Sequence, residues 1–372
     1  MKKIKFIQKP FTTLAVVVLV AAAIIYLQSQ KASFGNSKPG ITDQMQENNS
    51  KYPKAPDFAG IDKWINSEPL KIGQLKGKVV LVDFWTYTCI NCIRTLPYLK
   101  DWDRKYHDKG LVIVGVHTPE FEFEKKYENV MKAVNDYQLK YAVAQDNNYV
   151  TWKLYQNRYW PHKFIIDIDG YIRYDHIGEG GYDETEKMIQ QLLKERMERL
   201  NQKNGIDIEP SKPTEAVDIN PSEVKTPEIY FGYQFTRGNI GYGGIKPDSI
   251  IDFKLPQSPY KNYVYLSGKW KNNADNMELI SDDGEIFLIF DAKNVNIVAG
   301  SENGSNAFVF FDNTYENEKN KGADIIFQQN KSVSNVNEFK LYNLANAESY
   351  GKHIIDIDVV GKGFKVYTFT FG

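Results

Sequence analysis

The feature that most constrains this chain is a strongly apolar run, Val79–Trp85, that leads into a Cys-Ile-Asn-Cys motif at residues 89–92. A continuous apolar run of this length predicts a strand buried on both faces of a sheet. A helical pattern follows from Ile90 to Tyr106, and Pro97 is expected to kink that helix. Two cysteines, the only ones in the chain, therefore lie where a buried strand passes into a helix N-terminus.

Two thiols separated by two residues can close a small disulfide ring and reopen it. A helix N-terminus stabilises negative charge, so the pKa of Cys89 is predicted to fall into the range of about 3.5–7.5. Cys89 would attack a disulfide, and Cys92 would resolve the mixed disulfide. A static disulfide is one alternative, although so short a loop gains little stability from it. Half of a zinc site is another, but zinc needs about four ligands, and the five histidines have no ligand spacing.

Length and charge limit the remaining possibilities. A chain of 372 residues with 42% hydrophobic composition can bury two cores. Residues 1–50 carry six lysines against two acidic residues, whereas residues 228–372 carry 14 basic against 18 acidic residues. Neither of the two predicted domains has the basic surplus typical of nucleic-acid binding.

The N-terminal segment predicts a membrane anchor. Four lysines precede an apolar stretch, Phe11–Leu27, that is followed by no clear cleavage pattern. We therefore expect residues 1–30 to be an uncleaved signal anchor with its N-terminus in the cytoplasm, and a cleaved signal peptide is the alternative. Polar residues 31–55 predict a flexible tether. The rest of the chain would then lie outside the membrane, where disulfides persist.

Two domains are predicted beyond the tether. Residues 56–200 alternate strands and helices, with an amphipathic helix over 121–137, a strand over 141–144, a hairpin around Asp169-Gly170 and a closing helix over 182–200. Residues 201–227 are rich in proline and polar residues, which is typical of a linker. Residues 228–372 predict an all-β sandwich, with strands at 228–235, 263–270, 285–290, 308–312, 338–344, 353–360 and 364–371.

Residues 56–200 resemble the thioredoxin fold, and most of all its membrane-anchored TlpA branch. Asp83 stands six positions before Cys89 and Trp85 four before it, where thioredoxins have a buried acid and a tryptophan. Pro97 matches their helix-kinking proline, and Pro161 matches the cis-proline beside the disulfide. The dipeptide Ile90-Asn91 departs from the Gly-Pro of thioredoxin, so the reduction potential cannot be transferred. The segment that begins at residue 116 resembles the insertion of TlpA-like and redoxin proteins.

The second domain resembles the C-terminal region of DipZ-type proteins, on the segments 226–232, 266–270 and 366–372. That resemblance implies a jelly-roll domain like a carbohydrate-binding module after the thioredoxin-like domain. A single apolar segment stands where DipZ-type proteins carry a multi-span electron-transfer domain. The expected architecture is thus an α/β thioredoxin-like fold, with a central mixed sheet flanked by helices, then an all-β jelly-roll sandwich, and one N-terminal transmembrane helix.

The resemblance also assigns candidate site residues. Catalytic roles fall to Cys89 as nucleophile, Cys92 as resolving thiol and Asp83 as proton acceptor or donor. Pro161, Trp85 and Trp160 are candidates for substrate binding, with the backbone beside Pro161 left free to pair with a partner peptide. Glu120 and Tyr87 are candidates for tuning the dithiol. No metal is expected, and no cofactor beyond the Cys89–Cys92 pair.

The resemblance implies a thiol-disulfide oxidoreductase that reduces or isomerises disulfides of exported proteins, as in cytochrome or copper-site maturation. A membrane thiol-electron transporter of the CcdA/DsbD type would recharge it. A glycan-binding or protein-binding surface protein is an alternative, in which Tyr242 and Trp270 would be exposed contact residues. A redoxin-type peroxidase is another alternative, with Thr86 near the cysteine but without the proline that such enzymes carry in that loop.

Overall fold

The computed structural model describes residues 51–202, 205–241 and 245–372. The predicted signal anchor (1–30) and nearly all of the predicted tether (31–55) lie outside them. Within the described residues, no helix combines the length and the apolarity that a membrane span requires.

Strands and helices alternate in the α/β region, as we call residues 54–200. Its strands are β1 (Lys63–Ile65), β2 (Val79–Trp85), β3 (Leu111–His117), β4 (Ala142–Gln145), β5 (His162–Ile166) and β6 (Ile172–Ile177). Its helices are α1 (Ile90–Tyr106), α2 (Tyr127–Asp136), α3 (Val150–Leu154) and α4 (Tyr182–Arg199).

One mixed sheet organises the α/β region, in the strand order β1-β4-β3-β2-β5-β6. Strand β2 lies in the middle, parallel to β3 and antiparallel to β5. All seven residues of β2 are buried, so the strand predicted from the apolar run is confirmed. Because the strand ends at Trp85, a short loop places Cys89 at the start of α1, at the carboxyl end of this central strand.

Helix α1 has the predicted bounds and contains Pro97. Its buried side chains include Leu96, Leu99 and Trp102, which recur every three residues and so line one face. Hydrophobic burial of that face against the sheet fixes the helix, and with it the two cysteines at its N-terminus.

The predicted amphipathic helix over 121–137 was wrong in its bounds. A 3₁₀ turn, Glu122–Lys125, comes first, and α2 begins only at Tyr127. The carboxylate of Glu124 accepts from the backbone N–H groups of Glu120 and Phe121, at 2.6 and 3.0 Å, and so caps the start of this turn. The turn is separate from α2 because Lys126 between them has an extended backbone, with φ −71° and ψ 122°.

The hairpin predicted around Asp169-Gly170 is confirmed, and it joins β5 to β6. Its turn spans four residues, because the N–H of Gly170 donates to the carbonyl of Asp167 at 3.0 Å. Gly170 has a φ of +91°, a conformation that glycine adopts without a steric penalty.

The predicted linker is docked along part of its length. The backbone N–H and the hydroxyl of Ser211 donate to the carboxylate of Glu186 on α4, at 2.7 and 2.9 Å. The same carboxylate accepts from Lys105 and Tyr106 of α1. A 3₁₀ turn, Pro221–Glu223, precedes the second region.

The β region, as we call residues 226–372, contains strands and no helix among its described residues. Its strands are β7 (Ile229–Tyr230), β8 (Ile250–Phe253), β9 (Val264–Asn272), β10 (Met277–Leu279), β11 (Asp283–Gly300), β12 (Ser305–Phe311), β13 (Thr314–Tyr315), β14 (Ile326–Gln328), β15 (Lys331–Val336), β16 (Lys340–Val360) and β17 (Lys365–Phe371).

Two long strands dominate the β region, where the sequence predicted several short ones. The strands predicted at 338–344 and 353–360 form one strand, β16, which pairs antiparallel with β11 along nearly its whole length. A β-bulge between Ala292 and Asn294 interrupts the register, so the two halves of β11 take different partners, β9 and β17. Strands that bend at a bulge pass from one layer to another, and hydrogen bonds link all the strands into one sheet of 11.

The two regions pack against each other within one compact unit, Lys54–Gly372. Phe121 and Phe123, from the loop after β3, place their rings 5.1 and 4.7 Å from the ring of Tyr367 on β17. Phe339, which precedes β16, lies 5.3 Å from Phe123. The loop beside the cysteines is thus part of the interface between the regions.

Candidate active site

The cysteines occupy two different environments at the start of α1. Cys89 is the N-cap residue and is partly exposed, and Cys92 is buried one turn further on. The backbone N–H of Cys92 donates to the sulfur of Cys89 at 3.2 Å. The exposed sulfur is therefore the one that an incoming disulfide can reach, while the buried sulfur lies behind it.

The predicted lowering of the Cys89 pKa was wrong. Burial raises the pKa of Cys89, and the carboxyl groups of Glu120 and Glu228 raise it further, while hydrogen bonds from Cys92 act in the opposite direction. Burial also raises the pKa of Cys92, as do its proximity to Cys89 and the charge of Asp83. A helix N-terminus lowers a thiol pKa only where desolvation and neighbouring acids do not outweigh it.

Asp83 lies in the core on β2, and its charge raises the pKa of Cys92. It is 1% exposed, and burial raises its pKa to about 7, with Lys163 on β5 working against that shift. Asp83 and Lys163 are directly opposite in the β2–β5 register. The ammonium of Lys163 donates to the carbonyl of Gly178 at 3.0 Å, and burial lowers its pKa. The charge of the predicted acid thus acts on the resolving thiol, and a buried lysine, which the sequence analysis missed, lies opposite that acid in the sheet.

Glu124 ties the cysteine loop to the loop after β3. One carboxylate oxygen accepts from the hydroxyls of Thr86 and Thr88, both at 2.6 Å. The other accepts from the backbone of Glu120 and Phe121. Four donors around one buried carboxylate hold the two loops together, and burial nevertheless raises its pKa. Thr86, the threonine of the peroxidase hypothesis, donates its hydroxyl proton to Glu124.

Trp85 and Tyr87 lie in the core. Trp85 is 0% exposed, so the prediction that it contacts substrate was wrong; its ring packs edge-on against His117 at 5.4 Å. Tyr87 stacks on the other side of His117 at 5.7 Å and points its hydroxyl at the carbonyl of Phe339, 3.4 Å away. Burial lowers the pKa of His117 to about 3, so this imidazole is neutral.

Pro161 follows a cis peptide bond, as the resemblance implies. Its carbonyl accepts from Gly178 at 2.8 Å. Among the described residues, the backbone of Trp160 has no backbone hydrogen-bond partner, so it could pair with an extended peptide. The indole of Trp160 packs on Trp152 and donates to the carbonyl of Thr118 at 3.0 Å. The side chain is therefore partly exposed but held in place by these two contacts.

Glu120 connects the site to the β region. It lies in the loop after β3, directly after Pro119. One of its carboxylate oxygens accepts from the hydroxyl of Tyr230 on β7 at 2.9 Å. Burial raises its pKa to about 8, and the charges of Glu124 and Glu228 contribute to that shift. The tuning role predicted for Glu120 remains a prediction, and its contact with β7 was not foreseen.

Features of the β region bear on the binding hypothesis. Trp270 is 0% exposed and packs on Phe364, so it cannot be an exposed contact residue; Tyr242 lies outside the described residues. Tyr260 and Tyr263 are instead exposed, and they line a cavity of about 1180 Å³.

Glu285, Asp356 and Asp358 bring carboxylate oxygens within 4.8 Å of one another in the β region. Burial raises the pKa of Asp356 to about 7, and the charge of Glu285 adds to that shift. All three carboxyl groups belong to the β region, so this cluster is separate from the cysteine pair.

Comparison with known proteins finds a family match for each of the two regions. Residues 50–193 match the Redoxin family, and residues 226–372 match the family described as thioredoxin like C-terminal domain. Protein DipZ of Mycobacterium tuberculosis is 40% identical over 249 residues, which cover 66% of this chain and 35% of DipZ. Thiol-disulfide oxidoreductase ResA of Bacillus cereus is 30% identical over 139 residues, which cover 37% of this chain and 76% of ResA.

The chain belongs to the DipZ/TlpA-like thioredoxin-fold proteins. The family resemblance inferred from the residues is thereby confirmed, as is the thioredoxin-like fold. This chain spans 35% of the length of the DipZ proteins that it matches. A thioredoxin-like protein solved in solution in its oxidised form is 26% identical, and the match covers 39% of this chain and 97% of that one with a TM-score of 0.36.

Proposed function

We propose that this protein exchanges disulfides with exported polypeptides through Cys89 and Cys92, as a reductase or isomerase. The observation that carries the proposal is the asymmetry of the pair: a partly exposed sulfur at a helix N-cap with a buried sulfur behind it. Attack from outside then falls to Cys89, and resolution from inside to Cys92.

The reaction takes place in two steps. The Cys89 thiolate attacks one sulfur of a substrate disulfide; that S–S bond breaks, a mixed disulfide forms, and one substrate thiolate leaves and takes up a proton. The Cys92 thiolate then attacks the Cys89 sulfur, which closes the Cys89–Cys92 disulfide and releases the second substrate thiol. Two electrons pass to the substrate, so an external dithiol must reduce the pair again.

Neighbouring groups have supporting roles in this scheme. Asp83, whose charge acts on Cys92 and whose pKa is about 7, can take the proton that Cys92 must lose before it attacks, directly or through water. The free backbone of Trp160, next to Pro161, offers a short edge for an extended substrate segment.

The setting of the reaction is part of the proposal. The lysines ahead of the apolar stretch Phe11–Leu27 support a single-pass anchor with the α/β and β regions on the outer side of the cell membrane. A membrane thiol-electron transporter of the CcdA/DsbD type would supply electrons, and cytochrome or copper-site proteins would receive them. The bend of β11 at its bulge supports a jelly-roll form for the β region.

A Cys92→Ser variant tests the central step, because it cannot resolve the mixed disulfide. We expect it to accumulate covalent conjugates with exported proteins that reducing agent releases, and the matched Cys89→Ser variant to trap none. Conjugates that form equally in both variants, or in neither, would refute the assignment. The reduction potential of the couple then gives the direction: about −270 mV indicates a reductant and about −120 mV an oxidant.

A second candidate function is glycan binding by the β region, favoured by the exposed Tyr260 and Tyr263 beside the large cavity. A glycan array probed with the full chain tests it, with a Tyr260→Ala variant as control. Binding that this variant retains unchanged would point away from that cavity.

A further inference from the structure

The β region contributes side chains to the neighbourhood of the cysteines. The hydroxyl of Tyr230 lies 2.9 Å from a carboxylate oxygen of Glu120 and 3.1 Å from one of Glu228. Glu120 belongs to the α/β region, whereas Tyr230 and Glu228 belong to the start of the β region. One phenol therefore bridges two acids from different parts of the chain.

The position of the bridge is fixed by the β sheet. Tyr230 lies opposite Thr368 in the pairing of β7 with β17, and Ile229 lies opposite Phe369. The ring of Tyr230 contacts Phe121, at 6.4 Å between centroids, and the Arg237 guanidinium lies 4.6 Å above it. The aromatic contacts and the strand pairing leave the hydroxyl little freedom to move away from Glu120.

The bridge has one proton to offer and two carboxyl groups to satisfy. A phenol donates to one acceptor at a time, so at any moment the second carboxyl group lacks that hydrogen bond. The ionisable groups that face Glu120 are Glu124 from its own loop, Glu228, Tyr230 and Arg237 from the β region, and Tyr149. Of these only Arg237 is cationic, and burial with the acidic neighbours raises the pKa of Glu120 to about 8, so its carboxyl group is charged in the alkaline range where Cys89 ionises.

We propose that Tyr230 and Glu228 are positioning residues of the catalytic site, which hold Glu120 beside Cys89 and set the negative charge that the Cys89 thiolate experiences. The proposal rests on the thiol-exchange function proposed above, and it adds that the β region determines the reactivity of a cysteine in the other region.

Glu124 accepts hydrogen bonds from the hydroxyl of Thr88, which precedes Cys89, and from the backbone N–H of Glu120, so Glu120 is held near the cysteine loop. Both Glu120 and Glu228 raise the pKa of Cys89, because each disfavours a second negative charge nearby. Removing either charge must lower the pH at which Cys89 ionises. For a separation on the order of 8 Å, Coulomb's law gives a pKa shift of about 0.4 units in water-like surroundings and of about 1.5 units at an effective dielectric constant of about 20.

The experiment is the pH profile of Cys89 alkylation by iodoacetamide, with every variant in a Cys92→Ser background so that one thiol reacts. We expect the midpoint for Glu228→Gln to fall by about 0.4 to 1.5 pH units. Tyr230→Phe keeps the ring and removes only the hydroxyl that holds Glu120, so we expect a smaller shift in the same direction. Glu318→Gln and Tyr315→Phe, elsewhere in the β region, are the matched controls and should leave the midpoint unchanged.

A double variant separates positioning from simple packing. If Tyr230 acts through Glu120, Tyr230→Phe should cause no further shift once Glu120→Gln is present. Midpoints for Glu228→Gln and Tyr230→Phe within about 0.2 units of the parent would overturn the inference. So would equal Tyr230→Phe shifts with and without Glu120. Failure of the exchange function is a separate result, because trapping by the parent Cys92→Ser protein reports it and the alkylation profile does not depend on it.

Discussion

The two regions differ in the polar groups that they bury. The α/β region encloses ionisable side chains: Asp83, His117, Glu124 and Lys163 are each at most 1% exposed. The buried polar residues of the β region are nearly all amides and hydroxyls, such as Asn296, which donates to the carbonyl of Thr370 at 3.3 Å. Burying charge is costly, so a fold retains it mainly where it has a task. The comparison indicates that buried polar groups of the α/β region handle protons, whereas those of the β region satisfy hydrogen bonds that hold its fold.

The largest expected effect tests whether the two regions depend on each other. Phe123 is 5% exposed and packs on Tyr367 and Phe339 of the β region. Phe123→Ala removes this contact and leaves a cavity, so the free energy of unfolding should fall by about 3–5 kcal/mol. Urea denaturation followed by near-ultraviolet circular dichroism measures it.

The control for this prediction is Phe327→Ala, because Phe327 is 39% exposed in the same β region. We expect a change within about 0.5 kcal/mol. A loss below about 1 kcal/mol for Phe123→Ala would show that the two regions are stable without their shared aromatic contact.

Two buried glutamates, one in each region, sharpen the comparison. Glu124 accepts four hydrogen bonds. In Glu124→Gln, an amide NH₂ group replaces an oxygen that accepts two of them, which costs about 1–3 kcal/mol of unfolding free energy for the donors left unpaired. Glu316 is 6% exposed, and neither of its carboxylate oxygens has a hydrogen-bond partner among the described residues.

The expected sign for Glu316 is the opposite. Burial raises its pKa from 4.5 to about 8, so the folded protein keeps this proton where the unfolded chain has lost it. Stability from this group is complete below about pH 4.5 and is lost as the pH rises to about 8. Glu316→Gln should therefore be nearly neutral at about pH 5 and stabilising by about 1–4 kcal/mol at about pH 9. Unfolding free energies at both pH values measure it, and destabilisation at the higher pH would contradict the comparison.

The two regions also differ in how far the sequence predicts them. The bounds of β2 and α1 are correct because a continuous apolar run and a helical period leave no competing pattern. In the β region, residues around Asn346 and Gly351 suggest turns, but they lie within β16, where Asn346 pairs with Asn294 beside the bulge. Pairing with a second long strand outweighs the local turn preference, and a single sequence does not contain that information.

The catalytic groups divide in the same way. Cys89, Cys92, Asp83 and Pro161 stand at fixed spacings in the sequence, so a resemblance can identify them. Glu124 lies in a polar segment where nothing distinguishes a buried carboxylate from a surface one. Its burial depends on hydroxyls 36 and 38 residues away, and Tyr230 reaches Glu120 across 110 residues. Long-range contacts of this kind become visible only once both regions are folded together.

The smallest expected effect concerns Asp83, which best represents the charged core of the first region. If its carboxylate takes the proton of Cys92, Asp83→Asn should slow the resolving step about tenfold at about pH 7, a barrier increase of about 1.4 kcal/mol. The step is measured by loading Cys89 with thionitrobenzoate and following its release when Cys92 attacks. In the parent, the rate should rise with an inflection near the Asp83 pKa of about 7, and the variant should lack that inflection.

Asp103→Asn is the matched control and should keep the parent profile, because burial raises the pKa of this α1 acid as well and its hydrogen-bond partner is His107. The opposite outcome is equally informative, because the Asp83 charge also raises the pKa of Cys92. A variant that resolves faster than the parent above about pH 7 would show that this charge only opposes the thiolate. Asp83 would then destabilise the Cys92 thiolate rather than accept its proton. The buried Lys163 would be the group that stabilises the Asp83 charge.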